Sequence, residues 1–196
     1  LRYLLNDSGA KAIVYHSAFA PRLEAIRAEL PALQILILGT LGGAFIAFGA
    51  MAYTVVITGS TLDSTRAAIE LVHDAPQRYR CTAGIHPHHA RDFPDSETPA
   101  LRDLLVRPEV GAAGECGLDY FYEHSPRADQ KTAFAAQIQL AHDRRLPLVI
   151  HTRDAWDDTF DILVAEGVPA RTVIHCFTGG PDEARRCLEL GAHLSF

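Results

Sequence analysis

The sequence predicts an α/β fold of TIM-barrel type, with its strands side by side in parallel, and three observations carry that expectation. Apolar runs begin near residues 54, 81, 110, 147, 172 and 192. Helical patterns fill most of the intervals between them, and such strand–helix alternation marks βα units around a parallel sheet. Several runs also lead into side chains that can hold a metal: Val110–Gly114 into Glu115, Leu146–Ile150 into His151, Thr172–Ile174 into His175, and Cys81–Ile85 into His86-Pro87-His88-His89. Strand C-termini are where barrels and open parallel sheets build their sites.

Taken in order, residues 1–53 read as an appendage and 54–196 as an incomplete barrel of about six βα strands. Leu1–Gly9 predicts a short helix closed by Gly9, Ala12–Tyr15 a strand, Ala20–Leu30 a helix with a charged face (Arg22, Glu24, Arg27, Glu29), and Ile35–Leu38 another strand. Residues 30–62 carry no charged side chain, and Leu41–Tyr53 is rich in small residues. About 20 apolar residues can span a bilayer, and small residues let membrane helices approach closely. A membrane attachment through 30–62 and a buried helix or strand pair are both open. Beyond Tyr53, helices are expected at Ser64–Val72, Glu97–Leu105, Arg127–Asp143, Trp156–Glu166 and Asp182–Leu190. Asp63 or Ser64 is placed to cap the first, and Pro126 and Pro181 sit near the first turn of two others.

The formal net charge is −6, so no global basic field exists to hold nucleic acid; any such contact must be local or carried by bound cations. Cys81, Cys116, Cys176 and Cys187 form no Cys-x-x-Cys pair and read as reduced, mostly core residues, which favours a cytoplasmic setting. No charged segment followed by an apolar one opens the chain as a signal peptide would. It begins with Leu1 and stops inside an apolar run at Phe196, as a piece of a longer chain would.

Glu115, His151 and His175 each follow a strand directly, so in a parallel barrel they would converge at one mouth. Imidazole with carboxylate suits Zn²⁺, Mn²⁺ and similar ions, and a pair of such ions can orient a water in phosphoester hydrolysis. A lone strand-end histidine would more simply hydrogen-bond in a polar rim. His73, His124 and His142 fall on helices or loops, and Trp156 and Phe160 at i, i+4 read as helix packing rather than a stacking platform.

Four motifs in order, Gly84-Ile85-His86-Pro87-His88, Gly114-Glu115-Cys116-Gly117-Leu118-Asp119-Tyr120, Pro147–Ala155 (with His151-Thr152-Arg153-Asp154) and Ile174-His175-Cys176-Phe177-Thr178-Gly179, resemble the TatD family of metal-dependent deoxyribonucleases among the amidohydrolase-like TIM barrels. The resemblance runs over residues 55–196. It implies Glu115 as a metal-bridging carboxylate and His151 and His175 as metal ligands. His86 and His88 would line the site near the substrate phosphate, Glu115 with them as the catalytic set. Arg153 and Asp119 would support the site or contact substrate. It further implies divalent Mg²⁺, Mn²⁺ or Zn²⁺, two ions in the family, and single-stranded DNA or DNA ends as substrate, with no obligate protein partner. The family's opening His-x-His and closing aspartate have no counterpart here, so a catalytically inactive truncated barrel and a membrane-attached fragment stand as alternatives. Residues 1–38 resemble a fragment of an AMP-forming acyl-CoA synthetase (Leu5-Asn6-Asp7-Ser8-Gly9-Ala10-Lys11-Ala12), and about 40–58 a formate/nitrite transporter segment. The first brings none of its family's phosphate-loop or adenylate motifs.

Overall fold

The computed structural model describes residues 12–16, 35–39, 55–74, 79–93 and 98–196. These form two sheets. In one, β1 (Ala12–His16) pairs in parallel with β2 (Ile35–Gly39), Ala12 opposite Ile35. Both strands fall where the sequence predicts them. The helices expected at Leu1–Gly9 and Ala20–Leu30 lie outside the described residues, as does much of the uncharged 30–62 segment. Its described parts include β2 and the next strand, and no helix among the described residues is long and apolar enough to cross a membrane.

The second sheet joins six strands in chain order, every pair parallel: β3 (Val55–Ile57), β4 (Tyr79–Ala83), β5 (Val110–Asp119), β6 (Leu148–Arg153), β7 (Val173–Ile174) and β8 (His193–Leu194). Parallel neighbours need a crossover. Helices α1 (Leu62–Val72), α2 (Thr98–Leu104), α3 (Arg127–Arg144), α4 (Trp156–Glu166) and α5 (Pro181–Glu189) provide one each. A 3₁₀ turn, Pro87–Asp92, precedes α2.

Helices α1 and α3 each turn a stripe of buried residues to the sheet, while α2 and α5 bury one residue each, Leu101 and Cys187. On α1 the buried residues are Thr65, Ala68, Ile69 and Val72, the i, i+3, i+4, i+7 spacing of a helix face. Its cap differs from the expected Asp63 or Ser64. Thr61 is the cap: its side chain accepts from the Ser64 amide at 3.1 Å while Ser64 Oγ accepts from the Thr61 amide at 2.9 Å. This reciprocal pair satisfies two donors that the first turn leaves free. On α3 the stripe is Gln130, Ala133, Phe134, Gln137, Ile138 and Ala141. Phe134 and Phe160 are the largest fully buried side chains, packed with Leu118, Leu148 and Ile150 of the sheet. Cys81, Cys116 and Cys187 are buried in this core and Cys176 is exposed.

The structure corrects where two donors sit on their strands. β5 does not stop before Glu115 but runs on to Asp119, and its register against β6 shifts between Ala113 and Cys116. Glycine makes that shift possible. Gly114 has φ +109°, and a Cβ there would lie 2.3 Å from the Val149 carbonyl oxygen. His151 likewise lies within β6, whose alternation puts Val149, His151 and Arg153 on one face and the more deeply buried Leu148, Ile150 and Thr152 on the other.

Candidate metal centre

Three neighbouring strands bring donors together. After β4 the chain passes through Ile85, whose amide donates to Gln137 Oε1 (2.8 Å) and whose carbonyl accepts from Gln137 Nε2 (3.1 Å). Helix α3 therefore holds the backbone one residue before His86. The His86 amide itself donates to the Ser60 carbonyl at 2.9 Å, and the Glu115 amide to the Gly59 carbonyl at 3.1 Å, so the turn after β3 anchors both. His151 lies opposite Gly117 in the β5–β6 ladder. Ligand-type atoms of His86, Glu115 and His151 all lie within 4.8 Å of one another.

Asp119 holds the histidines in place. It is fully buried, and its Oδ2 accepts from His88 Nε2 (2.9 Å) and His151 Nε2 (3.0 Å). Its Oδ1 accepts from the Phe121 and Tyr122 amides at 3.0 and 2.8 Å. An ionised carboxylate only accepts, so both histidines donate through Nε2. Burial pushes the Asp119 carboxyl up, but the Tyr122 amide and the two imidazoles outweigh it and leave its pKa at about 2. The Asp119 side chain is thus out of solvent, with both oxygens taken by His88, His151 and the Phe121 and Tyr122 amides.

With Nε2 committed to Asp119, His151 turns Nδ1 toward Glu115 Oε1, 3.4 Å away. Burial lowers the His151 pKa, yet Glu115 and then Asp119 raise it above its ordinary value. Glu115 is held at about 2: burial raises it, but the hydrogen bond from His151 and the charges of His175, His86 and His151 prevail. His86 behaves oppositely. Burial drives its pKa down to about 3 despite Glu115, so it is neutral at ordinary pH. Its Nδ1 accepts from the His88 amide at 3.2 Å, and a neutral imidazole with Nδ1 accepting carries its proton on Nε2. As placed, His86 presents a donor.

The other expected residues lie around this group. His175 follows β7, but its Nε2 is 3.2 Å from Cys176 Sγ and its Nδ1 3.4 Å from Ser195 Oγ, so it stands outside the converging donors. Arg153 shares the His151 face of β6 and lies over the rings of Phe121 and Tyr122. Among the described residues Arg153 makes no ion pair with Asp119, whose Oδ2 is taken by His88 and His151.

The donor chemistry fits a divalent ion. Imidazole nitrogen and carboxylate oxygen suit Zn²⁺ or Mn²⁺, and a ligand histidine whose far nitrogen donates to a carboxylate, as His151 does to Asp119, is the usual support for such a metal. Sequence reasoning missed Gln137 and Gln130, which holds the Asp119 amide (2.8 Å) and carbonyl (3.2 Å) as Gln137 holds Ile85. The available signal was two glutamines seven residues apart on an otherwise apolar helix face. Phe121 and Tyr122 were missed as well, lying just past the motif that ends at Tyr120.

Comparison with known proteins bears on the whole of residues 46–196, which match the family described as TatD related DNase. The 3'-5' ssDNA/RNA exonuclease TatD of Yersinia pseudotuberculosis is 42% identical over 139 residues, which are 70% of this chain and 53% of that protein. The uncharacterized metal-dependent hydrolase YabD of Bacillus subtilis is 36% identical over 143 residues, 72% of this chain and 56% of that one. The chain spans about half the length of the curated relatives it matches. Among solved structures, a TatD family hydrolase from Entamoeba histolytica superposes with a TM-score of 0.65 at 26% identity, covering 71% of this chain and 50% of that one. YjjV, a TatD homologue from Escherichia coli, reaches 0.68 at 21% identity over 93% of this chain and 66% of its own, a likeness of fold.

Proposed function

The chain belongs to the TatD-related DNase family, and from that premise we propose that it is a metal-dependent hydrolase of phosphodiester bonds acting on single-stranded DNA or DNA ends. The observation that carries this is the convergence within 4.8 Å of Glu115 on β5, His151 on β6 and His86 in the segment that follows β4. Relatives named ssDNA/RNA exonucleases support the substrate class.

Glu115 and His151 would hold a divalent ion, Mg²⁺, Mn²⁺ or Zn²⁺, and a turn of the His175 side chain away from Cys176 would add a third ligand. Such an ion, alone or as one of two, polarises a phosphoryl oxygen and supplies a nucleophilic water at neutral pH. The protein's own groups do the rest. Asp119 fixes the His151 tautomer and ring. His86, neutral and with its proton on Nε2, would donate toward a phosphate oxygen, and Arg153, over the Phe121 and Tyr122 rings, offers a cation. His88, between Asp119 and the His86 ring, closes the site. Residues 1–53 we take as an appendage to this barrel unit, and the compartment as cytoplasmic.

The test is Mn²⁺- or Mg²⁺-dependent release of nucleotides from single-stranded DNA, with Glu115→Ala and a chelator as controls. Release lost in both controls is expected. A folded protein that releases nothing in either metal would leave an inactive barrel as the function.

A further inference from the structure

Beside the metal centre, two aromatic side chains stand in solvent. Phe121 is 55% exposed and Tyr122 is 50% exposed, although both follow directly on the buried Asp119. Exposed apolar side chains are ordinary on a protein surface, and what sets this pair apart is its arrangement. Their rings meet edge to face at 4.7 Å. The Arg153 guanidinium lies over both, 3.9 Å from the Phe121 centroid and 4.9 Å from that of Tyr122. Tyr122 lies parallel to His124, 4° between planes.

This cluster is built rather than incidental. The Phe121 and Tyr122 amides are both held by Asp119 Oδ1, and Asp119 Oδ2 holds His88 and His151. One buried carboxylate thus positions the aromatic pair and the metal centre together. His88 bridges them, its ring 5.6 Å from Tyr122 and 4.3 Å from His86.

The surroundings decide what the occupant is. Two rings flanked by an arginine and histidines are too small and too polar for an apolar protein contact, and suit a flat, polar-edged π system linked to an anion. With a net charge of −6, the protein also lacks the basic field that holds nucleic acid by its backbone alone. Stacking supplies what that field does not, and it tolerates any base because each has a π face. We propose that Phe121 and Tyr122, backed by Arg153, form a stacking subsite for the nucleobase of the nucleotide whose phosphate lies at the metal centre. The proposal rests on the phosphodiesterase reading of that centre and adds how the substrate is gripped.

The experiment is equilibrium binding in EDTA, so that no cleavage intervenes, of a dye-labelled DNA trinucleotide and of the same sugar-phosphate backbone with abasic sites throughout. The wild-type protein should prefer the base-bearing strand by about 5- to 150-fold, the range that one stacked base provides. Phe121→Ala with Tyr122→Ala should bring the preference close to one, while Phe121→Trp should retain it; circular dichroism confirms folding. Equal binding of both strands by the wild type, or a preference that survives the double substitution, would overturn the subsite and leave the nuclease reading standing. A base preference without Mn²⁺-dependent release of nucleotides would keep the subsite and remove the nuclease. Failure to bind either strand would overturn the subsite.

Discussion

Asp119 is fully buried, and both its oxygens are engaged by donors from three directions. Asp119→Asn would point an amide N–H at an imidazole N–H, or force a flip that loses the Phe121 and Tyr122 amides. Affinity for Mn²⁺ or Zn²⁺, measured by titration calorimetry, should fall about 10- to 100-fold while the far-ultraviolet spectrum is kept. An unchanged affinity would show that Asp119 serves folding alone. Glu109 is a second buried carboxylate, remote from the metal-centre residues. His73 Nδ1 donates to it at 2.7 Å and Arg107 Nε at 3.3 Å, and these hydrogen bonds hold its pKa at about 2. An unfolded glutamate titrates near ~4.3, so the folded state binds fewer protons in between. The stabilisation is fully present above that value and is lost as pH falls toward 2. Denaturant unfolding of Glu109→Gln should therefore differ most from wild type above about pH 5, with the gap closing on acidification; a gap independent of pH would assign the loss to packing.

At the scale of elements, α3 does more than cover the sheet. Its Gln130 and Gln137 reach the chain at Asp119 and at Ile85, the segments that carry the aromatic pair and His86. Gln137→Leu would leave the Ile85 amide and carbonyl buried without their side-chain partner, a cost of about 1–3 kcal/mol. Denaturant unfolding should register that loss, and amide exchange at Ile85 should quicken. Full stability with slow exchange would mean that another group holds Ile85. Strands β5 and β6 add close backbone contact. Gly117 has φ +132°, and a Cβ there would lie 2.0 Å from the His151 carbonyl oxygen, so only glycine lets Glu115 and His151 approach as they do.

For the whole molecule, metal and fold should be linked. An ion held by Glu115 and His151 ties β5 to β6, and any ligand of the folded state alone stabilises it, by about 2.7 kcal/mol at a hundredfold excess over Kd. Thermal melts should rise with added Mn²⁺ in the wild type and not in Glu115→Ala; identical shifts in both would place the ion elsewhere. Much of this architecture was legible in the chain. All six strands of the larger sheet and its five helices sit within a few residues of their expected places, because apolar runs and 3.6-residue stripes are local patterns that the packed sheet simply completes. The family motifs were legible too, since their residue types and order lie in the text itself. What the text determined by itself was therefore the order of βα units, the family and the donors' places along the chain. Tertiary structure alone decided which donors meet: His86 rather than His175 with Glu115 and His151, Asp119 buried beneath them, and Phe121 and Tyr122 left in water. Those outcomes depend on a register shift at Gly114, on a helix reaching across to distant loops and on which nitrogen each imidazole turns inward. Each is a relation between residues far apart in sequence, fixed only when the strands pack.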